Sequence, residues 1–423
     1  MPHPDGEPVA AGSGGGDGTA GGAGGADARA GGERRMPQAD VERAVSAALA
    51  GVIDPEIRKP ITELDMVDEV RATESGGVEV RVALTIVGCP ASDRIERDVR
   101  EAAEQVVGVG NAAVELTVMA PERRAALTER LRGGRARGNP FGPGTLTRVI
   151  AVTSGKGGVG KSTLTANLAV ALAARGLSVG LVDADVHGFS IPGLLGLVDE
   201  HGNAARPTRV DEMILPPVAH GVKVISIGMF VEPTEPGGRG SSVAVAWRGP
   251  MLHRTLQQFL TDVYFGDLDV LLVDLPPGTG DVAISLGQLL PNAEVVVVTT
   301  PQPAAADVAE RSGLVARQTG QEVVGVVENM AGLAQPGGGI LDLFGSGGGE
   351  EVARRLSVGA AAPVPLLASV PLSVALRRGG DEGLPVVLAE PDDPAARAIE
   401  AVAAALATRP RSLSGRRLDV TVR

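Results

Sequence analysis

A glycine-rich stretch, TSGKGGVGKST at residues 153–163, constrains the fold of this chain more than any other feature. A β-branched run at 149–152 precedes it, and an apolar stretch with helical character follows at 162–174. Residues 155–162 match G-x-x-x-x-G-K-[ST], and a strand before the motif and a helix after it are the context in which it forms a phosphate-binding P-loop. The sequence therefore predicts a strand, a loop that binds phosphate, and a helix.

Each position of this loop has a physical reason. Glycines let backbone N–H groups converge on phosphate oxygens without Cβ clashes, and the positive end of the following helix adds to the anion site. We expect Lys161 to place its charge on the β- and γ-phosphates and the Ser162 hydroxyl to bind Mg²⁺. The nucleotide-binding residues predicted here are Gly155, Lys156, Gly157, Gly158, Val159, Gly160, Lys161, Ser162 and Thr163.

Lys156 is unusual, because a P-loop does not require a second lysine at its second position. The whole chain has four lysines, and two of them lie five positions apart in this loop. A lysine that extends away from its own loop could reach phosphates bound by another subunit. The alternative is a solvated loop lysine.

Apolar runs alternate with helical stretches from residue 148 onward, which favours strands buried between helix layers in a mostly parallel sheet. We therefore predict an α/β fold, a P-loop NTPase domain covered by helices on both faces, preceded by a small α+β domain. The predicted boundaries are a Gly/Ala-rich disordered tail at 1–35, the small domain at 37–120, a linker at 121–147 that includes a short basic helix, the P-loop domain at 148–408 and a basic tail at 409–423.

Within the small domain, residues 41–52 and 92–108 have helical patterns, and Ser92 is the expected N-cap of the second helix. Residues 54–70 are predicted to form a turn and a short amphipathic piece. Two strands are expected, one alternating and ending at a Gly-Cys-Pro turn at 88–90, the other at 112–119.

Carboxylates follow two of the apolar runs, at the sheet edge where open α/β folds bind ligands. LVDAD ends in Asp183 and Asp185, and DVLLVD ends in Asp274. We interpret the second run as a Walker B strand whose aspartate binds the water shell of Mg²⁺. Gly278 to Asp281 follows as a predicted γ-phosphate-sensing switch. Asn329, after another run, is able to pair with an adenine edge, and 298–302 and 369–373 are further candidate walls of that pocket.

Composition limits the other functions. The formal net charge of −12 argues against a general nucleic-acid or anionic-membrane binder. The sequence has no apolar run long enough for a membrane span and no secretory pattern, so a cytoplasmic protein is expected. A single cysteine, Cys89, excludes an internal disulfide framework.

The loop K-G-G-x-G-K-[ST] at 156–162 resembles that of the deviant Walker A ATPases. More specifically, AWRGPMLHRTLQQFL, DADVHGFSIP, DLPPGTGD, TTPQPAAADVAERSG and LFGSGGGEEVA resemble the Mrp/ApbC iron–sulfur cluster carriers over 148–405. The fragments DPEI, ITELDMV and LTIVGCP resemble the PaaD/SufT-type domain. This resemblance implies a homodimeric ATPase that uses ATP and Mg²⁺, with Lys156 acting across the dimer. It assigns Lys156, Lys161 and Asp185 to catalysis and Ser162 and Asp274 to the metal.

The resemblance also implies a [4Fe–4S] cluster as cargo and apo iron–sulfur proteins and assembly factors as partners, with neither nucleic acid nor membrane. The chain departs from the family pattern at the cluster site, because the usual C-x-x-C pair after the Glu-Asn-Met segment is missing. Two copies of the chain offer only two thiolates, both Cys89, so His187 or other ligands would have to complete the usual four. Cys89 occupies the position of the reactive cysteine of the PaaD/SufT-type domain. Its alternative role is that of a small buried apolar residue.

Two other functions remain open at this point. Without the C-x-x-C pair, the chain could be a nucleotide-gated scaffold that holds assembly partners and no cluster. A partitioning or positioning ATPase would share the loop, but the basic C-terminal tail, interrupted by Pro410 and Gly415, makes a poor membrane helix.

Overall fold

A computed structural model describes residues 36–86, 88–108, 110–133, 139–142, 144–185, 188–230, 249–335 and 339–409, without the side chains of residues 249, 250 and 334. The predicted tail at 1–35 and nearly all of the predicted basic tail lie outside these residues, as does His187. Among the described residues, no helix combines the length and the apolar character needed to cross a membrane.

The small N-terminal domain is a three-stranded sheet with two helices packed against each other. Strands β1 and β2 pair antiparallel, and β2 and β3 pair parallel. The inward side chains of β2 alternate with exposed ones over its first half, which confirms the predicted period. The elements are α1 Gln38–Leu49, β1 Val67–Ala72, β2 Val78–Leu84, α2 Ser92–Val107 and β3 Ala112–Val118.

Two local predictions in this domain need correction. The amphipathic piece expected within 54–70 ends in the first residues of β1, which the sequence analysis did not identify as a strand. Ser92 is not the N-cap of α2, because Ala91 occupies that position and makes no side-chain cap hydrogen bond. The Ser92 amide donates to the Cys89 carbonyl at 3.1 Å, so the chain already turns before Ser92 and the helix begins there.

The larger domain contains a nine-stranded sheet in the order β13-β12-β11-β4-β10-β5-β9-β8, with β14 also paired to β12. Every apolar run predicted as a buried strand forms one, and these strands pair parallel to their neighbours. Strands β8 and β13 pair antiparallel at the edges. The strands of this sheet are β4 Arg148–Ser154, β5 Val179–Asp183, β8 Val218–Ala219, β9 Val222–Ser226, β10 Val270–Asp274, β11 Glu294–Thr299, β12 Glu322–Ala334, β13 Ile340–Leu341 and β14 Leu366–Leu372. Strands β6 Thr208–Val210 and β7 Met213–Leu215 pair antiparallel in a separate two-stranded sheet.

Helices flank this sheet in two groups. Helix α4 packs against α11 and α12, while α6, α7, α8 and α9 pack successively against one another. The predicted α/β architecture with a preceding α+β domain is therefore confirmed. The helices are α4 Lys161–Ala174, α5 Ile191–Leu194, α6 Gly249–Thr261, α7 Asp281–Leu289, α8 Pro303–Gln318, α9 Gly348–Ser357, α10 Val374–Glu382, α11 Val386–Ala389 and α12 Pro394–Thr408, with a 3-10 turn at Ile227–Phe230. Helix α3 Pro121–Arg132 precedes them in the chain, and its Leu127 lies in the core of the small domain.

Candidate functional site

The glycine-rich loop connects β4 to α4 at the carboxyl edge of the parallel sheet. Gly158 and Gly160 have φ angles of 77° and 80°, in the left-handed region that glycine adopts at no steric cost. Gly157 and Gly158 are exposed, so their backbone is open to a ligand. Gly155 instead packs against the backbone of Val308 in α8. The loop thus has one face open for phosphate and one face fixed to the domain.

Lys161 and Ser162, the first residues of α4, meet the carboxylate at the end of β10. The Lys161 ammonium lies 2.8 Å from Asp274 Oδ2 and 3.8 Å from Asp185 Oδ2. The Ser162 hydroxyl donates to the same Asp274 oxygen at 2.6 Å, and Thr165 Oγ1 donates to the other oxygen at 2.9 Å. The structure therefore brings together the predicted phosphate lysine, the predicted Mg²⁺ hydroxyl and two of the predicted carboxylates, Asp185 and Asp274.

Asp183 is a third buried carboxylate, beside this group. Asp183 and Asp274 face each other in register at the ends of β5 and β10. The Ser226 hydroxyl donates to Asp183 Oδ2 at 2.9 Å, and the Asp185 amide is 3.2 Å from Asp183 Oδ1. Burial is the main cause, and the charge of Asp274 the next, that raises the pKa of Asp183 well above its ordinary value of 3.8.

The chemistry of this donor set fits Mg²⁺. A serine hydroxyl and carboxylates are the hard oxygen ligands that Mg²⁺ accepts, usually alongside water and nucleotide phosphates. The described residues contain no group of three or more His, Cys, Asp or Glu side chains placed to hold a metal ion. Water and phosphate oxygens would therefore supply the rest of the octahedron, as they commonly do for this ion.

Lys156 is hydrogen-bonded within its own chain. Its ammonium donates to Gln302 Oε1 at 2.9 Å, and Thr300 Oγ1 is 3.4 Å from the same oxygen. Gln302 and Thr300 lie in the segment predicted as a wall of the base pocket, and this structure shows their contact with the loop lysine. Sequence reasoning missed that pairing, because the two residues are 146 positions apart.

Asn329 contacts the P-loop directly. Its amide donates to the Val159 carbonyl at 2.8 Å, and a Cβ on Gly160 would lie 2.3 Å from Asn329 Nδ2. The neighbouring Glu328, which the sequence analysis did not single out, accepts from the Gly349 amide at the start of α9 and from Ser369 Oγ, each at 2.9 Å. The sequence signal that could have identified Glu328 is the presence of a carboxylate in an otherwise apolar run. The adenine contact of Asn329 stays a prediction.

The segment between β10 and α7 contains the predicted γ-phosphate switch. Gly278 has a φ of 92°, and its amide donates to the Ser154 carbonyl at 2.7 Å. The segment is therefore tied to the last residue before the P-loop. Thr279 and Gly280 are exposed, and Asp281 is the first residue of α7.

Cys89 lies in the small domain, after β2, and is only 4% exposed. Burial and, to a lesser degree, the carboxylates of Glu56 and Asp54 raise the pKa of its thiol to about 11. Cluster ligands are thiolates, so this environment does not suit Cys89 to ligation as the structure stands. The fit of the chain to an iron–sulfur cluster is therefore poor in this conformation.

Comparisons with known proteins agree on a family. The model for NUBPL iron-transfer P-loop NTPases matches residues 145–407, and a model for iron-sulfur cluster assembly proteins matches residues 42–116. The chain belongs to the family of NUBPL iron-transfer P-loop NTPases. An iron-sulfur cluster carrier protein of Mycobacterium tuberculosis is 54% identical over 383 residues, which is 90% of this chain and 97% of that protein. One of Bacillus subtilis is 39% identical, over 75% and 84% of the two chains.

Two solved structures resemble parts of this iron-transfer NTPase. A nucleotide-binding protein from Archaeoglobus fulgidus in complex with ADP is 38% identical, covers 58% of this chain and 89% of its own, and has a TM-score of 0.47. A DUF59 domain from Bacillus anthracis is 28% identical over 23% of this chain and 96% of its own, with a TM-score of 0.21. The predicted resemblance to the cluster-carrier family is confirmed.

The packing of the loop predicts different outcomes for two alanine substitutions. In Gly155→Ala the new Cβ would lie 2.2 Å from the Val308 carbonyl carbon, so the loop or α8 must shift. We expect a loss of about 2 kcal/mol in the free energy of unfolding. Gly157→Ala is the matched control, because its Cβ would meet only Pro277 at 3.8 Å. Urea unfolding without nucleotide measures both, and equal stabilities would contradict the packing.

The shifted pKa of Asp183 predicts a pH effect. In the unfolded chain this carboxyl ionises near 3.8, whereas the folded chain retains the proton to higher pH. The wild type therefore loses stability as pH rises across the interval between the two values. We expect the stability of Asp183→Asn relative to wild type to increase as pH rises from ~3 to ~7, because only the wild type has to ionise this buried carboxyl.

Urea unfolding at several pH values measures the difference between Asp183→Asn and wild type. Asp392→Asn, at a carboxylate that is 95% exposed, is the control and should follow the wild-type profile. An Asp183→Asn profile parallel to that of wild type would contradict the assignment.

Proposed function

We propose that this protein is a cytoplasmic, homodimeric ATPase that binds iron–sulfur clusters and transfers them to apoproteins. The observation that carries the ATPase part is the meeting of Lys161, Ser162 and Asp274 beneath an open P-loop. Membership in the iron-transfer family and relatives named cluster carriers support the cargo. Hydrolysis is expected to be slow, well below the ~10 s⁻¹ typical of enzymes, because the site has the parts of a switch.

In this proposal each side chain of the site has a role. With MgATP bound, Lys161 would leave Asp274 to neutralise the β- and γ-phosphates, and Ser162 would hold the metal together with Asp274, which would act through metal-bound water. Asp185 would position the attacking water. Bound MgATP would supply the phosphoanhydride that is cleaved. Catalysis rests on positioning and charge neutralisation, since the transferred phosphoryl group needs little covalent help.

Lys156 is proposed to act on the nucleotide of the partner subunit. Its bond to Gln302 holds it beside its own loop in the single chain. The acceptor in this bond is a neutral amide oxygen, and a hydrogen bond with one charged partner is worth about 1.5–3 kcal/mol. A phosphate across a dimer interface offers the ammonium a negatively charged acceptor, so both partners of the new bond carry charge and the phosphate can displace Gln302.

A mixing experiment tests this role. Lys156→Ala and Lys161→Ala should each abolish ATP turnover. In an equal mixture, half of the dimers are mixed, and each mixed dimer has one site with Lys161 from one chain and Lys156 from the other. We expect about a quarter of wild-type activity in the mixture, because a two-fold dimer has two equivalent sites. A mixture no more active than its separate components would contradict action across the dimer.

A second candidate function replaces cluster binding and keeps the ATPase. The surroundings of Cys89 favour this second function. The chain has a single cysteine, it is buried, and its pKa is raised to about 11. A nucleotide-gated scaffold that holds assembly partners and no cluster would need no thiolate at all. The P-loop chemistry is the same in both functions, so ATP turnover does not distinguish them.

Anaerobic reconstitution with iron and sulfide separates the two. Bound iron and the visible cluster absorbance are measured in wild type and in Cys89→Ser. If this chain is the carrier, wild type binds a cluster and Cys89→Ser loses it. If neither chain binds a cluster while both hydrolyse ATP, the scaffold replaces the carrier. A cluster retained in Cys89→Ser would place the ligands elsewhere.

A further inference from the structure

The hairpin of β6 and β7 belongs to the P-loop domain in sequence, yet its apolar side chains complete the core of the small domain. Val210, Met213 and Leu215 are each at most 2% exposed. They lie in the same hydrophobic cluster as Cys89 and the small-domain helix residue Ile95, separate from the cluster that fills the P-loop domain. The two domains therefore meet at this short ribbon, at Tyr264, which packs against the same cluster, and at Arg58, whose guanidinium donates to the Gly221 carbonyl at 3.1 Å.

Polar contacts across this junction are few. Thr208 Oγ1, at the start of the hairpin, donates to Glu56 Oε1 of the small domain at 2.5 Å. Arg124 of α3 pairs with Asp211 at the hairpin turn at 3.0 Å, and both side chains are partly exposed. Contacts between domains of one chain that are small and partly polar commonly separate and re-form.

The hairpin itself is firmly attached to the P-loop domain. The Ile214 amide donates to the Asp262 carbonyl at 2.9 Å, and the Tyr264 amide donates to the Ile214 carbonyl at 2.8 Å. These backbone bonds join the segment that follows α6 to the ribbon. A separation of the two domains therefore breaks the contact of the ribbon with the small domain, which among the described residues is made by side chains, and the bond from Arg58 to the Gly221 carbonyl.

The only cysteine of the chain is enclosed on the small-domain side of this contact. Cys89 is 4% exposed. Glu56, whose carboxylate Thr208 holds, is also one of the two acidic groups near Cys89 that raise its pKa. The contact between Thr208 and Glu56 thus connects the ribbon to the surroundings of the thiol.

We propose that the hairpin Thr208–Leu215 is a reversible docking element for the small domain, and that docking keeps Cys89 out of solvent. Undocking exposes the thiol and three apolar side chains of the ribbon together. This inference goes beyond the proposed function and requires neither ATP turnover nor a cluster. Undocking would also make the buried Cys89 accessible, which is required before any partner can contact the thiol.

The test is the rate at which N-ethylmaleimide alkylates the full chain without nucleotide, because Cys89 is the only thiol. Thr208→Val keeps the shape of the side chain and removes its hydrogen bond to Glu56. We expect it to raise the rate about 5- to 30-fold, as the docked state loses a bond to a partly buried carboxylate. Thr208→Ser, which restores the hydroxyl, should stay within about twofold of wild type.

A second pair of variants changes the apolar contact. Met213→Asp places a charge in the buried face of the ribbon and should raise the rate more than Thr208→Val. Val118→Asp is the matched control, since Val118 is 45% exposed on β3 of the same small domain and should leave the rate unchanged. Far-UV circular dichroism confirms that each variant retains its secondary structure.

Three results would overturn the proposal. Wild type could react within about tenfold of the urea-unfolded chain, which would mean that docking does not protect the thiol. Thr208→Val and Met213→Asp could both react at the wild-type rate. Val118→Asp could react as fast as Met213→Asp, which would mean that any loosening of the small domain exposes Cys89. None of these results depends on ATPase activity or cluster binding, so they leave the proposed function untouched.

Discussion

Asp274 is completely buried, and a buried carboxylate is tolerated only where neighbouring groups compensate its charge. Lys161, Ser162 and Thr165 of α4 provide that compensation, so the helix, the loop before it and the central strand β10 are fixed to one another. Removing one partner of such a pair leaves an unpaired charge in the interior. The same interaction that stabilises the centre of the domain therefore assembles the nucleotide site.

The α/β architecture could be predicted from the sequence, because the strands are apolar on both faces. Strands of a parallel sheet between two helix layers have this character. The short strands could not be predicted in this way. Strands β8 and β13 have two residues each, and β6 and β7 have three, too few for a periodic pattern. The N-cap prediction at Ser92 was wrong for a different reason. The backbone hydrogen bond from the Ser92 amide determines where α2 begins, and the residue pattern does not show that bond.

In the nucleotide site, too, some features could be predicted from the sequence and others could not. Lys161, Ser162 and the carboxylates were predicted because the chemistry of phosphate and Mg²⁺ requires those residue types at the edge of a parallel sheet. Contacts between distant segments could not be predicted. Examples are the hydrogen bonds of Lys156 with Gln302 and of Glu328 with the start of α9. Nothing in the sequence near either partner indicates the other, because tertiary packing alone brings them together.

The turn of the ribbon places two demands on one residue. Asp211 has a φ of 53°, a left-handed conformation that outside glycine only asparagine and aspartate adopt readily, and its carboxylate pairs with Arg124. Glycine or asparagine would satisfy the backbone and lose the ion pair, while glutamate would keep the charge and strain the turn. Aspartate alone meets both demands. Any substitution of Asp211 therefore gives up the relaxed turn, the ion pair with α3, or both.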